Sequence, residues 1–190
     1  MRIGILAIQG DFGLHQIALD KLSVNSLLVK HESDLEKIDA LIFPGGESTT
    51  ISLLLNKYNL IEPIVDFADK HCIFGTCAGA ILMSLDSNDS RIKNFGFIDV
   101  LSHRNAWGSQ IDSFSDYITF SDSQFLNEKY YATFIRGPKF TDISTSCNVL
   151  GYYGNEPVLI RNDRHLICSF HPEINRDLCI YKYFFKMINE

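Results

Sequence analysis

The chain has 190 residues, of which 46% are hydrophobic and 21% are charged, and its formal net charge is −6. This length suits one domain with a buried core, and the composition is ordinary for a globular protein. The negative net charge argues against a nucleic-acid partner. The lack of basic clusters argues the same way, since no more than two Lys or Arg residues are adjacent anywhere in the chain.

The apolar stretches are short, whereas a membrane span takes roughly 18 to 20 apolar residues. The first apolar run reaches Gln9 and Asp11 too early for a secretory signal peptide. The five cysteines form no C-x-x-C pair and show no spacing with histidine that is typical of a zinc site. We therefore expect a cytoplasmic protein with no membrane segment.

Strands and helices alternate along the first half of the chain. Continuous apolar runs predict strands buried on both faces of a sheet, and apolar residues at helical spacing predict helices. The predicted strands span residues 2–8, 26–30, 39–46 (stopping at Pro44) and 72–76. The predicted helices span residues 11–22, 49–58, 61–70 and 79–85. This alternation indicates βαβ units and a parallel sheet with helices on both faces.

The second half is rich in Tyr, Phe, Val and Ile, which favours strands. Turn signals at 154–155 and 162–163 indicate antiparallel hairpins, and a last helix is predicted near 177–188. No internal repeat or linker divides the sequence. We therefore predict an α/β fold with one domain over residues 1–190, a three-layer sandwich around a mixed, mostly parallel sheet.

Cys77 stands in Gly-Thr-Cys-Ala-Gly, between the predicted strand 72–76 and the helix 79–85. Small residues around a nucleophile are typical of the sharp strand-to-helix turn known as a nucleophile elbow. In such a turn the first N–H groups of the helix interact favourably with a thiolate, and the N–H of Ala78 could stabilise an oxyanion. A tight turn with an inert cysteine would fit the same residues.

A cysteine nucleophile needs a base, commonly a histidine that a carboxylate orients. We interpret His31 and His165 as solvated, because both lie in polar, turn-like stretches. His71 precedes the strand that leads to Cys77 and so lies at its opposite end. His15 and His103 could each be structural.

His171 ends an apolar strand in "LICSFHPE" and is followed by Pro172 and Glu173. Proline stops the strand, and the spacing of two residues lets the carboxylate turn back to orient the imidazole. His-Pro-Glu alone is a weak signal. Together with the cysteine elbow it predicts a triad of Cys77, His171 and Glu173.

The sequence "FPGGEST" at 43–49 places two glycines after a strand end, where backbone N–H groups can face a ligand. A helix cap by Ser48 or Thr49 would explain the same residues without a ligand. The motif lacks the lysine of a phosphate-binding loop, so we do not interpret it as a nucleotide site. Ligands collect at the carboxyl ends of strands in open α/β sheets, so we expect this loop and Cys77 to face one crevice.

Together the motifs resemble the class I (triad) glutamine amidotransferases, and among them the glutaminases of pyridoxal 5′-phosphate synthases. The matching stretches are GILAIQGDFGLH (4–15), PGGEST (44–49), FGTCAG (74–79), RNAWGSQIDSF (104–114), FIRGP (134–138) and SFHPE (169–173). The elbow and His-x-Glu are common to the superfamily, whereas the other stretches are typical of the vitamin B6 branch. The resemblance implies the flavodoxin-like fold of class I glutamine amidotransferases.

The resemblance also implies a reaction, the hydrolysis of L-glutamine to L-glutamate and ammonia. Cys77 would attack the side-chain amide and form a γ-glutamyl thioester, and His171, oriented by Glu173, would serve as acid and then as base. Backbone N–H groups of Gly46 and Ala78 would form the oxyanion hole. The residues implied to bind glutamine are Gly46, Glu47, Ser48, Arg104, Ile135 and Arg136. A guanidinium suits the substrate α-carboxylate, although which arginine makes that contact stays open.

The implied partner is a (β/α)8-barrel synthase subunit that builds pyridoxal 5′-phosphate from a pentose phosphate and a triose phosphate. The two subunits would form a large hetero-oligomer in which the glutaminase is idle until docked, and no metal or bound cofactor is implied. Trp107 and Ser109 stand where the family more often has Phe and Arg, and Gly137 replaces a common Ala. Ser109 replaces a charged residue, so substrate closure or subunit contacts in its loop could differ.

Three other interpretations fit parts of the sequence. A different amidotransferase, feeding histidine or cobalamin biosynthesis, would share the triad and differ in its partner. A cysteine hydrolase or stress protein would keep the thiol elbow, but the His-x-Glu placement argues against it. An assembly subunit with lapsed catalysis would be distinguished by replacing Cys77 with alanine.

Overall fold

The computed structural model describes residues 1–104, 106, 113–121, 125 and 129–190. The strands are β1 (Arg2–Leu6), β2 (Asn25–Val29), β3 (Ala40–Phe43), β4 (Cys72–Thr76), β5 (Ser84–Asp86), β6 (Ile98–His103), β7 (Phe114–Phe120), β8 (Lys129–Phe134), β9 (Lys139–Thr141), β10 (Asn148–Tyr153), β11 (Glu156–Arg161) and β12 (Leu166–Cys168). The α-helices are α1 (Phe12–Lys21), α2 (Glu32–Leu35), α3 (Ser48–Lys57), α4 (Ile61–Ala68), α5 (Ala78–Met83) and α6 (Cys179–Ile188). A short 3-10 helix spans Pro172–Ile174.

Nine of these strands form one sheet in the order β2-β1-β3-β4-β12-β11-β10-β7-β8. The five strands from β2 to β12 pair in parallel, and the pairs from β12 to β8 are antiparallel. Parallel strands end at the same edge of a sheet, so the segments after β3, β4 and β12 meet there. The predicted mixed α/β sheet is confirmed.

The sheet is buried on both faces because its strands alternate their side chains between two hydrophobic cores. In β3, Leu41 and Phe43 enter one core, and Ala40 and Ile42 enter the other. Helices α3, α4 and α5 contribute to the first core, and α1 and α6 contribute to the second. The molecule therefore has the predicted three layers.

Several predicted boundaries are confirmed, whereas the strand predicted over 2–8 ends at Leu6 and the helix predicted over 61–70 ends at Ala68. The strand at 72–76 and the stop before Pro44 are confirmed, and so is the hairpin turn at 154–155. The helix predicted to reach residue 85 instead ends at Met83, and the chain continues as β5, in a small sheet of order β5-β6-β9. Ser84 stops the helix because its backbone turns extended while its hydroxyl donates to the carbonyl of Ala80 at 2.8 Å.

Trp107 and Ser109 lie outside the described residues, so the predictions for them stay predictions. Among the described helices, none is long and apolar enough to cross a membrane.

Candidate active site

Cys77 lies between β4 and α5 in a strained backbone conformation, with φ 48° and ψ −104°. A residue with a side chain seldom adopts positive φ, and such strain persists only where the surrounding structure enforces it. The Cys77 N–H donates to the carbonyl of Cys168 at 2.9 Å, and the Cys77 carbonyl accepts from the N–H of Ile81 at 3.1 Å. The turn therefore has the backbone geometry of a nucleophile elbow.

The small residues around Cys77 are required by close packing. A Cβ atom on Gly79 would lie 2.2 Å from the carbonyl oxygen of Phe43, so only glycine lets α5 approach the end of β3. A Cβ atom on Gly75 would lie 2.6 Å from the sulfur of Met83. The Gly-x-Cys-x-Gly pattern therefore fixes where the elbow sits against the sheet.

His171 follows β12, the strand that pairs in parallel with β4, and so arrives beside Cys77. Its N–H donates to the carbonyl of Thr133 in β8 at 2.9 Å. The 3-10 helix then turns Glu173 back, and Oε1 of that carboxylate lies 2.6 Å from Nδ1 of His171. Both side chains are buried, so the pair is shielded from water.

Gly45 packs directly against His171 and Cys77, a role that the sequence did not predict. A Cβ atom at Gly45 would lie 2.6 Å from Cε1 of His171 and 3.6 Å from Cβ of Cys77. The imidazole therefore occupies space that only glycine leaves open. The adjacent glycines of "FPGGEST" were the available signal, but the sequence suggested a ligand there and not an imidazole ring.

The electrostatics of His171 follow from its two neighbours. Burial lowers the pKa of His171, but interactions with Cys77 and Glu173 raise it more, to about 11. Burial raises the pKa of Glu173, yet His15 and His171 lower it below its usual value. Nε2 of His171 is buried and makes no hydrogen bond to the described residues, so it is left to face the sulfur or a substrate proton.

A cavity of about 290 Å³ opens in front of Cys77 and His171. It is lined by Gln9, Asp11, Gly46, Glu47, Ser48, Cys77, Ala78, Ile81, Arg104, Ile135, Arg136 and His171. Every residue that the sequence predicted for glutamine binding or the oxyanion hole is in this set. Glu173, the third member of the predicted triad, lies behind His171 and away from the cavity.

Arg104 closes one side of the cavity through two ion pairs. Its guanidinium donates to Oε1 of Glu47 at 2.9 Å and to the carboxylate of Asp89. The sequence motifs place no constraint on residues 86–95, so they predict no role for Asp89. No local signal marks it, because Arg104 and Asp89 meet only through folding.

Glu47 caps α3, so the predicted alternative of a cap by Ser48 or Thr49 is wrong. One carboxylate oxygen accepts from the N–H of Thr50 at 2.7 Å and from the hydroxyls of Thr49 and Thr50. Partial burial raises the pKa of Glu47, but these hydrogen bonds lower it to about 2. Its N–H donates to the side-chain oxygen of Gln9 at 2.9 Å, which ties this loop to the segment after β1. Glu47 therefore presents a fixed negative charge at the cavity.

The opposite side of the cavity comes from the segment after β8. The backbone carbonyl of Ile135 lies 3.5 Å from the sulfur of Cys77. Arg136 follows with φ 52°, a left-handed conformation that turns the chain sharply there. The antiparallel half of the sheet therefore supplies one wall of a site whose Cys77 and His171 come from the parallel half.

Two histidines differ in how well the sequence predicted them. His31 is exposed, as predicted, but the prediction of a solvated His165 is wrong. Its N–H donates to the side chain of Asn162 at 2.7 Å, and its Nδ1 accepts from the N–H of Ile73 at 3.2 Å. This turn directs the ring into the core, where burial lowers the pKa of His165 to about 4.

Asp11, His171 and Glu173 are the one group among the described residues whose ligand atoms lie close enough, within 4.8 Å of one another, to hold a metal ion. Nδ1 of His171 is already hydrogen-bonded to Glu173, which accounts for two of the three. This donor set therefore fits an oriented imidazole at least as well as a metal site.

Comparisons with known proteins agree with this geometry. The sequence model of the SNO glutamine amidotransferase family matches residues 5–190. The pyridoxal 5′-phosphate synthase subunit PdxT of Thermosipho africanus is 38% identical, over 100% of both chains. Its counterpart in Francisella philomiragia is 40% identical, over 97% of this chain and 98% of its own length. A crystal structure of a glutamine amidotransferase superimposes with a TM-score of 0.88 at 33% identity, covering 99% of each chain. The chain therefore belongs to the SNO glutamine amidotransferase family.

Proposed function

We propose that residues 1–190 form one glutaminase domain that hydrolyses L-glutamine to L-glutamate and ammonia and serves as a subunit of a pyridoxal 5′-phosphate synthase. The observation that carries this proposal is the buried His171–Glu173 pair, which arrives beside the Cys77 elbow at the base of a cavity. A nucleophile, a base and the carboxylate that orients the base are the parts that covalent amide hydrolysis requires.

In the first half of the reaction, the Cys77 sulfur attacks the side-chain amide carbon of glutamine. The carbonyl oxygen becomes an oxyanion, and the backbone N–H groups of Gly46 and Ala78 are the proposed donors that stabilise it. The carbon–nitrogen bond breaks as Nε2 of His171 gives its proton to the leaving nitrogen, which departs as ammonia. A γ-glutamyl thioester remains on Cys77.

In the second half, His171 takes a proton from water, and the resulting hydroxide attacks the thioester carbon. The carbon–sulfur bond breaks, the sulfur leaves with the bonding electron pair, and L-glutamate is released. Glu173 keeps one ring nitrogen engaged through both steps, so that Nε2 always faces the reacting atoms.

The charges at the cavity suit the two charged groups of an amino acid. Glu47 is ionised and faces the cavity, so it is the proposed partner of the substrate α-ammonium. Arg104 and Arg136 are the two cavity cations suited to the α-carboxylate. Gly46, Ser48 and Ile135 complete the proposed glutamine site.

The names of the relatives support the proposed partner, the synthase subunit that receives the ammonia. The finer expectations concern a (β/α)8-barrel as that subunit, a large hetero-oligomer, and little activity without docking. These features and a cytoplasmic location stay predictions from the sequence.

The test is ammonia release from L-glutamine by the purified chain, with and without a pyridoxal 5′-phosphate synthase subunit. We expect Cys77→Ala to lower the rate by at least about 10³-fold, because removing a nucleophile disables the whole triad. Cys179→Ser is the matched control, because Cys179 lies on α6 and does not line the cavity. Equal rates for wild type and Cys77→Ala would contradict the proposal, as would silence in a mixture whose synthase subunit still makes product from supplied ammonia.

A further inference from the structure

Behind the triad lies a second buried histidine, His15 of α1, which the sequence left as a possible structural residue. It is fully buried, and its Nε2 lies 3.7 Å from Oε2 of Glu173 and 3.2 Å from the hydroxyl of Thr76. Oε2 of Glu173 has no hydrogen-bond partner among the described residues. An unpaired buried carboxylate oxygen is costly, so a nearby donor matters there.

The two neighbours of the His15 ring indicate which of its nitrogens carries the proton. The hydroxyl of Tyr181 on α6 lies 2.7 Å from Nδ1 of His15. Burial raises the pKa of Tyr181 well above its usual value, so the hydroxyl stays protonated and is able to donate to Nδ1. Nε2 faces the Glu173 carboxylate, and this negative charge favours a proton on that nitrogen, which leaves Nδ1 to accept from Tyr181.

We propose that His15 is a positioning residue of the triad, whose Nε2–H holds Glu173 in the orientation that keeps its Oε1 on His171. The proposal rests on the proposed glutaminase function and deepens it. The same N–H faces Thr76, the residue immediately before Cys77, so one imidazole supports both the base and the strand that carries the nucleophile. Hydrogen bonds in unliganded active sites are often long and tighten when substrate binds, which suits the 3.7 Å separation.

The charged and titratable groups around His15 favour this role. Burial lowers the pKa of His15, Glu173 and Asp11 raise it, and His171 lowers it. The net effect lowers the pKa of His15, so this ring stays neutral. The charged groups beside it are the negative carboxylate of Glu173 and the positive ring of His171. A neutral N–H donor can orient the Glu173 carboxylate without forming a second ion pair that would weaken the one with His171. Tyr181 completes the set as the neutral donor from α6.

The test compares three substitutions at His15 and Tyr181. His15→Leu removes the proposed donor, His15→Gln keeps an amide N–H near the position of Nε2, and Tyr181→Phe removes the hydroxyl that contacts Nδ1 of His15. The first readout is the titration of His171 by NMR in the isolated chain. The second is kcat and KM for L-glutamine with the synthase subunit present.

We expect His15→Leu to lower the titration midpoint of His171 by about one pH unit and kcat by about tenfold, the scale of one hydrogen bond to a charged group. KM should stay within about twofold, because His15 does not line the cavity. His15→Gln should restore most of both quantities, and Tyr181→Phe should give a smaller change in the same direction.

Tyr130→Phe is the matched control, because it also removes a buried tyrosine hydroxyl but one that makes no hydrogen bond to His15 or to any other described residue. It should change neither kcat nor the titration of His171, and it should not lower the melting temperature, because that hydroxyl has no hydrogen-bond partner among the described residues to lose. The proposal is overturned if His15→Leu leaves the titration midpoint of His171 and kcat at wild-type values, as Tyr130→Phe should, whether or not it lowers the melting temperature. If the wild-type complex releases no ammonia that depends on Cys77, the glutaminase function fails, and the titration in the isolated chain still decides whether His15 holds the pair.

Discussion

The two ends of strand β12 each carry a buried histidine, and the two differ in almost every other respect. His165 lies just before the strand, and His171 lies three residues after it; their exposed fractions are 6% and 3%. The pKa of His165 is lowered to about 4 by burial, whereas the pKa of His171 is raised to about 11 despite burial.

The difference in pKa comes from the groups that each ring contacts and not from how deeply the ring is buried. Nδ1 of His165 accepts from a backbone N–H, a bond that only an unprotonated nitrogen can accept. His171 faces a carboxylate and a sulfur, both of which favour the charged ring. One end of the strand therefore carries a structural histidine, and the other carries the proposed acid and base.

Among the substitutions that test this comparison of the two strand ends, the largest effect is expected at the His171 end, from Gly45→Ala. The added methyl group would lie 2.6 Å from Cε1 of His171, so the ring must move. A displacement of about 1 Å at a catalytic group can cost about 100-fold in rate, and we expect a loss of 10- to 100-fold in ammonia release. Gly13→Ala is the control, because nothing lies within 4 Å of that position. Similar activity for the two variants would show that His171 has room to move.

At the opposite end of the strand, acid should destabilise the folded protein through His165. The pKa of His165 is about 4 in the folded protein and near 6.5 in the unfolded chain. The neutral ring therefore contributes its full stabilisation above pH 6.5, and this contribution is lost as the pH falls towards 4. We expect a loss on the order of 2 kcal/mol over this window. His165→Asn keeps an acceptor for the N–H of Ile73 but cannot titrate. The free energy of unfolding, measured with denaturant from pH 7 to pH 4, should therefore fall less steeply for the variant than for the wild type. Parallel plots of this free energy against pH would contradict the account.

A smaller effect is expected at the rim of the cavity, from Arg104→Lys. Lysine cannot reproduce the fork of donors that reaches Glu47 and Asp89 together. We expect KM for L-glutamine to rise about tenfold while kcat stays within about threefold, since Arg104 does not contact the reacting atoms. Arg91→Lys is the control, because Arg91 also pairs with Asp89 but does not line the cavity. Equal KM values for the two variants would show that Arg104 does not contribute to substrate binding.

The smallest effect is expected from Asp89→Asn. Its carboxylate lowers the positive potential that a substrate carboxylate meets at Arg104, so KM should fall, by at most about threefold. The difference from wild type should shrink as salt is added, because ion pairs near the surface are screened. A clear rise in KM would show instead that Asp89 is needed to hold Arg104 in place.

The parts of the site that are local in sequence could be predicted. The apolar strand 72–76, the small residues around Cys77 and the proline after His171 each act on their immediate neighbours. The pattern of strands and helices then indicated that these segments end at one edge of a parallel sheet. That much of the fold needed no knowledge of distant contacts.

The remaining features depend on contacts between distant residues. Gly45 and His15 matter because of the ring and the carboxylate that packing places beside them, and nothing near them in the sequence announces those partners. His165 was misassigned because its polar neighbours suggest a surface turn, whereas Asn162 directs the ring into the core. The small sheet that contains β5 was missed because Ser84 ends an apolar helical pattern within a single residue.

The central claim is that Cys77 forms the covalent intermediate, and rapid-quench mass spectrometry tests it most directly. The chain would be mixed with the synthase subunit and L-glutamine, quenched in acid within the first turnover, and digested. The account predicts a γ-glutamyl adduct on the peptide that contains Cys77, and none in the Cys77→Ala variant. Ammonia release at the full rate with no adduct on Cys77, or with the adduct on another cysteine, would contradict it.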